Sequence, residues 1–277
     1  MIERFKVTEL MAVPTQIDAL LSAASSGDFN TSSLRLIRTA GTRYPKSFVD
    51  RIREVLGCEL LNTYGMTENC ANTTAFHTAY DPYDKRDSIG KATYFWETRV
   101  IKIDPEREVE PEETITHPGV GQLIVRGPQN IKEYYQSPEE PLKIKEGWLY
   151  TRDVVEVDAD GYLYIVDRID NIIKSGAENI YPQEVEAVLM KHPKVADAAV
   201  IGVPHGRWGE VVVAIIKAGT PDLSKEEIDE YCLTCGELAR YKRPRAIIFA
   251  DEIPKNIFGK TDRAKLKEIY KGLRVDF

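Results

Sequence analysis

Four short polar clusters contain side chains that could bind a nucleotide or assist catalysis. The first, residues 62–68 (NTYGMTE), directly follows an apolar segment. It combines an aromatic face, a glycine that permits close backbone approach, a hydroxyl and a carboxylate. That set suits a nucleotide with its metal ion. A loop without a function is the alternative for this cluster.

The second cluster joins Asp153 to residues 167–170 (DRID). A carboxylate can accept hydrogen bonds from both hydroxyls of a ribose, and an arginine can bind phosphate or ribose oxygens. A surface ion pair is the alternative interpretation. The third cluster, residues 174–179 (KSGAEN), is predicted to be a short loop that lets a substrate pass close to the backbone, although many such loops have no function.

The fourth cluster, residues 254–260 (PKNIFGK), ends in a lysine that follows a glycine. An exposed loop of this kind could project Lys260 into the cleft of another domain. Without further information, Lys260 is equally well interpreted as a solvated surface lysine.

Two cysteines form a C-x-x-C pair, Cys232 and Cys235, which invites a zinc or redox interpretation. The sequence contains no second ligand pair at suitable spacing. Ser224 and Glu227 form a capping box, and the apolar residues that follow have helical spacing. We therefore expect both thiols to lie on the apolar stripe of a helix.

The first third of the chain alternates apolar segments typical of strands with segments typical of helices, the pattern of a parallel α/β sheet. The segments are VTELMAV, 14–24, LRLIRTA, 45–56 and CELLNTYG. Ligands of open α/β sheets bind at the carboxyl ends of the strands. The NTYGMTE cluster is predicted to lie at that edge.

From about residue 89 to 167 the sequence changes to short strands separated by Gly and Pro, and mixed helices and strands return after Arg168. The predicted fold class is α/β: a partial parallel sheet, a small antiparallel barrel-like subdomain, and a separate α+β C-terminal domain. The predicted boundaries are 1–88, 89–169 and 170–277.

Composition narrows the possible functions. The 277 residues exceed the usual size of one domain, and 43% hydrophobic with 29% charged residues fits a soluble globular protein. A net charge of −7 argues against nucleic acid as a partner. The sequence shows no apolar run long enough to cross a bilayer and no secretory pattern at MIERFKVTEL, so we expect a cytoplasmic protein. The oligomeric state is not indicated.

The order of these motifs is informative. YGMTE, TRD, DRIDNIIKSGAENIYPQEVE and ARYKRPRAIIFADEIPKNIFGK together resemble the successive core motifs of the ANL superfamily of adenylate-forming enzymes, over essentially the whole chain. KSGAENIYPQEVE is more similar to the acyl-CoA synthetase version than to the amino-acid-activating version. The resemblance implies a ligase of the kind used in fatty acid metabolism. Such a ligase joins a carboxylic acid to AMP from ATP with Mg²⁺, and then transfers the acyl group to coenzyme A.

The resemblance also implies a role for individual residues. Those implied to bind the nucleotide are Gly41, Thr42, Arg43, Asn62, Thr63, Tyr64, Gly65, Asp153 as the ribose ligand, and Arg168. Thr67 would contact phosphate and Glu68 would help to hold Mg²⁺. Lys260 would serve the first half-reaction. Lys174 and Gly176 would face the site in the second, after a domain rotation about the hinge residue Asp170.

Three departures from the family pattern qualify these expectations. Arg152 stands where the usual Thr-Gly-Asp has glycine, and Ala177 stands where many members have glycine. The Ser/Thr/Gly-rich loop ending in Pro-Lys, which grips the ATP phosphates upstream in this family, has no match. We therefore expect a C-terminal fragment that is inactive alone. The alternatives are a non-catalytic nucleotide-binding or interaction protein, and half of a split enzyme completed in trans by an N-terminal half.

Overall fold

The computed structural model describes residues 1–27, 29–40, 44–104, 107–136, 142–256 and 259–275. The chain divides into two compact units, Met1–Ile165 and Val166–Phe277. The first unit contains two sheets and the second contains one, and the helices pack on strands in both. The predicted α/β class is confirmed.

The first sheet of the first unit is parallel at one side and antiparallel at the other. Its strands, in sheet order, are β1 (Glu9–Met11), β2 (Leu36–Ala40), β3 (Glu59–Tyr64), β4 (Thr74–His77) and β5 (Lys91–Ala92). Strands β1 to β3 are parallel, as predicted, whereas β4 and β5 extend the sheet antiparallel. The carboxyl end of β3 therefore lies between a parallel and an antiparallel neighbour.

Three helices accompany this sheet: α1 (Ile2–Phe5), α2 (Pro14–Ser25) and α3 (Lys46–Leu56). Proline at the first position of α2 suits a helix start, because the missing N–H would have no partner there. Apolar residues recur at helical spacing in α3, where Val49, Ile52 and Leu56 are buried against the sheet core. The two longer helices thus cover the hydrophobic core beside β2 and β3.

The second sheet of the first unit is a curled antiparallel sheet. Its strands are β6 (Glu97–Ile101), β7 (Gly119–Arg126), β8 (Ile144–Lys145), β9 (Trp148–Val157) and β10 (Leu163–Arg168). The sheet order is β10-β9-β7-β6, with β8 paired to β9. Leu123, Val125, Leu149 and Val155 fill its core, and Tyr64 from β3 belongs to the same cluster. Tyr64 therefore connects the two sheets of this unit.

The second unit is built on a mixed sheet. Its elements are β11 (Ile173–Ser175), β12 (Glu178–Ile180), α4 (Pro182–Leu189), β13 (Val195–His205), β14 (Gly209–Ala218), α5 (Lys225–Thr234), β15 (Ala246–Phe249) and α6 (Arg263–Ile269). The order is β12-β11-β14-β13, with β15 parallel to β14. Residues of β13 and β14 are buried on both faces, which explains their nearly continuous apolar sequence.

The C-x-x-C pair is part of helix α5. Ser224 caps the helix, because its hydroxyl accepts a hydrogen bond from the Glu227 N–H at 3.1 Å. Cys232 is buried, and burial raises the pKa of its thiol to about 11. The described residues contain no group of three or more His, Cys, Asp or Glu side chains that could hold a metal ion. Cys232 lies in the hydrophobic core of this unit and Cys235 packs against it, as expected for the apolar stripe of a helix.

Within the described ranges, no helix has the length and apolar character needed to cross a membrane.

Candidate functional site

The NTYGMTE cluster begins on β3 and continues into a tight loop. Tyr64 ends the strand, and Thr67 and Glu68 lie in a 3₁₀ turn that follows it. Gly65 joins the two, and a Cβ at this position would lie 2.4 Å from the Ala71 Cα. Because such an approach is possible only without a side chain, glycine allows the loop to fold back against the strand end.

The returning part of this loop has an unusual backbone. Residues 70–72 all have positive φ, between 56° and 60°, although none is glycine. Two hydrogen bonds hold them, from Ala71 N–H to the Met66 carbonyl at 3.1 Å and from Thr73 N–H to the Tyr64 carbonyl at 2.7 Å. Backbone of this kind persists only where its surroundings determine it, and such segments cluster at ligand sites.

Glu68 is half-buried and is held by a neighbouring segment. Its Oε1 accepts a hydrogen bond from the Tyr134 hydroxyl at 2.5 Å, and its backbone carbonyl accepts one from the Ile131 N–H at 2.8 Å. A carboxylate has about four lone-pair positions, so the contact with Tyr134 leaves capacity for a metal ion. The sequence gives no signal for Tyr134, because no spacing pattern connects it to Glu68.

Tyr64 and Asp153 meet although 89 residues separate them in sequence. The Tyr64 hydroxyl donates to the Asp153 Oδ2 at 2.5 Å, and the tyrosine ring is buried. Asp153 N–H donates to the Thr151 hydroxyl, which in turn donates to the Leu123 carbonyl. The predicted ribose ligand is therefore fixed beside the end of β3, next to a residue predicted to line the adenine pocket.

Arg152 precedes this aspartate in a left-handed conformation, with φ at 62°. The pairing of β7 with β9 shifts register here: Gln122 pairs with Val154 but Ile124 pairs with Tyr150. The extra residues on β9 form a bulge, which turns the strand locally. A left-handed position favours glycine, so the physical reason for the family's usual residue is visible at Arg152.

Two other predicted nucleotide ligands of this unit have buried side chains. Asn62 is fully buried, and its Nδ2 donates to the Ser88 carbonyl at 2.8 Å. Thr63 is also buried, with its hydroxyl 3.3 Å from the Thr39 carbonyl. Gly41, Thr42 and Arg43 lie outside the described residues.

The remaining predicted residues belong to the second unit. Arg168 is exposed, and its Nη2 lies 3.9 Å from the Asp170 Oδ2 in the following 3₁₀ turn. The fully buried Asp167 carboxylate accepts hydrogen bonds from Arg168 N–H, Asn171 Nδ2 and Gln183 N–H, at 2.7 to 2.9 Å. Asp167 therefore fixes the backbone on both sides of the predicted hinge.

The KSGAEN cluster is a β-hairpin rather than the predicted loop. Strands β11 and β12 pair from Ile173 opposite Ile180 to Ser175 opposite Glu178. Gly176 has φ at 64°, which fits the first central position of a type II′ turn. Lys174 is exposed on β11. The strands are too short for alternation to reveal them, which is why the sequence pattern indicated a loop.

Lys260 is exposed at the end of a closed turn. Its N–H donates to Asn256 Oδ1 at 3.0 Å, and the Asn256 N–H donates back to the Lys260 carbonyl at 2.7 Å. Lys255 and Thr261 form a β-bridge at the base of this turn. The turn presents Lys260 at the surface, as the sequence predicted, whereas residues 257 and 258 lie outside the description.

The parallel strands define an α/β protein as the class, with Tyr64, Glu68 and Asp153 near the carboxyl end of β3, where ligands of such sheets bind. The chain matches the profile of AMP-binding enzymes over residues 1–135, and that of the AMP-binding enzyme C-terminal domain over residues 184–260. It belongs to this family, the ANL superfamily of adenylate-forming enzymes that its motifs predicted.

Curated relatives are CoA ligases. The long-chain-fatty-acid–CoA ligase FadD13 of Mycobacterium tuberculosis strain H37Rv is 35% identical over 260 residues, which are 94% of this chain and 49% of FadD13. The 2-succinylbenzoate–CoA ligase of Bacillus subtilis strain 168 is 35% identical over 273 residues, 98% of this chain and 53% of the ligase. The chain thus spans about half the length of the curated relatives it matches.

Solved structures show the same relationship. The o-succinylbenzoate CoA synthetase of Bacillus subtilis, in complex with the acyl-adenylate OSB-AMP, superposes with a TM-score of 0.81 at 32% identity. That match covers 100% of this chain and 53% of the synthetase. The same synthetase with ATP and magnesium ion gives a TM-score of 0.79 at 32% identity, over 96% of this chain and 52% of the synthetase.

Proposed function

We propose that this chain supplies the adenosine-binding side and the mobile C-terminal domain of an AMP-forming acid–CoA ligase. In the first half-reaction a carboxylate attacks the α-phosphate of ATP, which forms acyl-AMP and releases pyrophosphate. In the second, the thiol of coenzyme A attacks the acyl carbon, which forms the thioester and releases AMP and a proton. The family assignment and the CoA ligases among the relatives support this reaction type.

The observation that carries the proposal is the contact between Tyr64 and Asp153. It places a carboxylate beside the end of a parallel strand, where ligands of such sheets bind. Because the phenol donates to one carboxylate oxygen, Asp153 is oriented before a nucleotide arrives, and a carboxylate is an acceptor that suits ribose hydroxyls. The Bacillus subtilis synthetase with AMP, 32% identical to this chain, supports AMP as the nucleotide.

Glu68 and Thr67 are proposed to serve the phosphate side of the same site. Both lie in the 3₁₀ turn beyond Tyr64, and the Glu68 carboxylate is oriented by Tyr134. Oxygen ligands are those that Mg²⁺ prefers, and the ion would balance phosphate charge there. Asn62, Thr63 and Gly65 shape this site, and we assign Gly41, Thr42 and Arg43 to the adenine pocket by the family resemblance.

The second unit is proposed to serve the two half-reactions with two different lysines. Lys260 would place a fixed positive charge where negative charge builds between the carboxylate and the α-phosphate. After rotation about Asp170, Lys174 and Gly176 would border the path of the coenzyme A thiol, and Arg168 would contact the nucleotide. Both lysines are exposed, as such roles require.

We propose a carboxylic acid as the substrate and assign it to no narrower class. The names of the relatives cover long-chain fatty acids, 2-succinylbenzoate and indoleacetate. These acids differ in size and aromaticity, so none of them identifies the acid for this chain.

For the isolated chain we propose nucleotide binding without adenylation. The sequence carries no match to the phosphate-gripping loop of the family. The test is ATP–pyrophosphate exchange by the 277-residue chain with a panel of aliphatic and aromatic acids. We expect no exchange from the chain alone, and exchange when the remaining half of a relative's length is supplied in trans. Robust exchange by the chain alone would overturn this part of the proposal.

A further inference from the structure

The hairpin that carries Lys174 buries Ile173 and Ile180 in the core of its unit and contacts residues 208–210 at the start of β14. Gly176 N–H donates to the Trp208 carbonyl at 2.7 Å, and Ser175 pairs with Gly209. Strand β11 has only three residues, so these contacts provide much of its attachment to β14. The backbone that bears Lys174 is therefore held in part by residues 208–210.

A side chain at the start of β14 adds a further contact. The Glu210 Oε2 accepts a hydrogen bond from the Lys174 N–H at 2.9 Å. This is a charge-assisted bond, about twice as strong as one between neutral groups. It acts on the backbone amide of Lys174 and leaves its ammonium group to other partners.

The Glu210 carboxylate is itself confined by Gly202 on the neighbouring strand β13. A Cβ at position 202 would lie 2.8 Å from Glu210 Oε1, so the carboxylate occupies the space that this glycine leaves. The backbone of Gly202 does not require glycine, since its φ is not in the left-handed region. A side chain at position 202 would therefore force the Glu210 carboxylate to move from its present position.

We propose that Glu210 is a positioning residue for Lys174: through the Lys174 amide it fixes the strand from which that lysine extends, without touching the reactants. The inference rests on the proposed role of Lys174 in the second half-reaction. Positioning matters there because misplacement by about 1 Å can cost an enzyme about 100-fold in rate. Gly202 leaves space for the Glu210 carboxylate, and this carboxylate accepts the hydrogen bond from the Lys174 N–H.

The test is amide hydrogen exchange of the isotope-labelled full chain, read by NMR at Lys174 and Gly176. In Glu210→Ala and in Gly202→Ala we expect the Lys174 amide to exchange at least about tenfold faster, because a charge-assisted bond is lost. Glu210→Gln retains an acceptor and should keep exchange within about threefold of wild type. The exposed Glu252→Gln is the matched control and should change nothing.

Two further readouts separate positioning from general destabilisation. The exchange of the Val200 amide on β13 should remain that of the wild type in all variants, because the loss of stability should be confined to the hairpin. The proposal would be overturned if the Lys174 amide exchanged at the wild-type rate in Glu210→Ala. It would also be overturned if Glu210→Ala and Glu210→Gln accelerated that exchange equally. AMP affinity should be the same in every variant, and a wild-type chain that fails to bind AMP would contradict the proposed function while exchange still decides the role of Glu210.

Discussion

At the residue scale, a hydrogen bond of 2.5 Å links Tyr64 to Asp153 across segments that are far apart in sequence. The order of motifs predicts both residues as nucleotide ligands, and that role stays a prediction. The contact itself was not predictable, because it depends on how the curled sheet packs beside β3. The roles of Tyr134 and Asp167 could not be predicted at all, because these residues act through hydrogen bonds to Glu68 and to the backbone beside the predicted hinge.

Arg152 gives a stability prediction at the residue scale. The left-handed conformation destabilises the folded state by about 1–2 kcal/mol at a residue other than glycine. Glycine relieves this strain, but it also gives the unfolded chain more conformational entropy, which offsets part of the gain. We expect Arg152→Gly to raise the unfolding free energy of the first unit by about 1 kcal/mol, measured by urea denaturation.

The control for this substitution is Glu156→Gly on the same strand. Glu156 is exposed and has ordinary strand geometry, so glycine there should lower stability by about 0.5–1 kcal/mol. If Arg152→Gly were as destabilising as Glu156→Gly, the left-handed conformation at position 152 would be wrong.

At the scale of elements, the loop after β3 depends on Gly65. A Cβ there would meet the backbone of residues 71 and 72 at 2.4 to 2.7 Å, and backbone cannot move aside as a flexible side chain can. We expect Gly65→Ala to destabilise the first unit by about 2 kcal/mol or more, and to abolish AMP binding because the loop is displaced. Calorimetric melting and AMP titration measure the two effects.

Gly206→Ala is the matched control, because nothing lies within 4 Å of a Cβ at that position and its φ is ordinary. It should change stability by less than about 0.5 kcal/mol. Equal melting temperatures for Gly65→Ala and Gly206→Ala would show that the loop does not approach the strand end as closely as described.

In the second unit, helices α4 and α6 are joined by a buried ion pair. Both carboxylate oxygens of Glu186 lie 2.6 Å from Arg263 Nη2, and Glu186 also accepts the Val200 N–H. Burial raises the pKa of Glu186 above its ordinary value of 4.5, and the charge of Arg263 opposes that rise. The pair therefore holds a carboxylate charged in a site that disfavours charge.

Removing Arg263 should leave the Glu186 carboxylate without its partner. We expect Arg263→Met to lower the unfolding free energy of the second unit by about 3 kcal/mol at pH 7, because a buried charge loses its partner. The loss should shrink as the pH falls towards 4.5, because a group whose folded pKa is raised stabilises the protein below its unfolded pKa and loses that contribution as pH rises. Urea denaturation at several pH values measures this.

The double variant Glu186→Gln with Arg263→Met is the control. It removes the buried charge, so its stability should vary much less with pH than that of Arg263→Met. A loss in Arg263→Met that stays constant between pH 5 and pH 7 would contradict the assignment of the effect to the Glu186 charge.

At the scale of the whole molecule, the sequence predicted the long helices and strands but not the strands of two or three residues. Strands β13 and β14 have continuous apolar sequences, and α2 and α3 have clear helix starts and apolar faces. Strands of two or three residues, such as β5 and β11, follow from pairing with neighbours rather than from local preference. For the same reason the sequence did not predict that β4 and β5 would extend the first sheet antiparallel.

The residues that we propose for the two half-reactions belong to different units. Tyr64, Glu68 and Asp153 belong to the first unit, and Lys174 and Lys260 belong to the second. AMP binding should therefore depend on the first unit, and the lysines should matter for the half-reactions.

The most direct test of the central claim is titration of the 277-residue chain with AMP by isothermal calorimetry. We expect saturable binding at one site, and about 10–100-fold weaker binding by Asp153→Asn, because a charged acceptor of the ribose hydroxyls is lost. Asparagine still accepts the Tyr64 hydroxyl, so the melting temperature should stay close to that of the wild type. Absence of saturable binding, or equal affinity of Asp153→Asn and the wild type, would contradict the account.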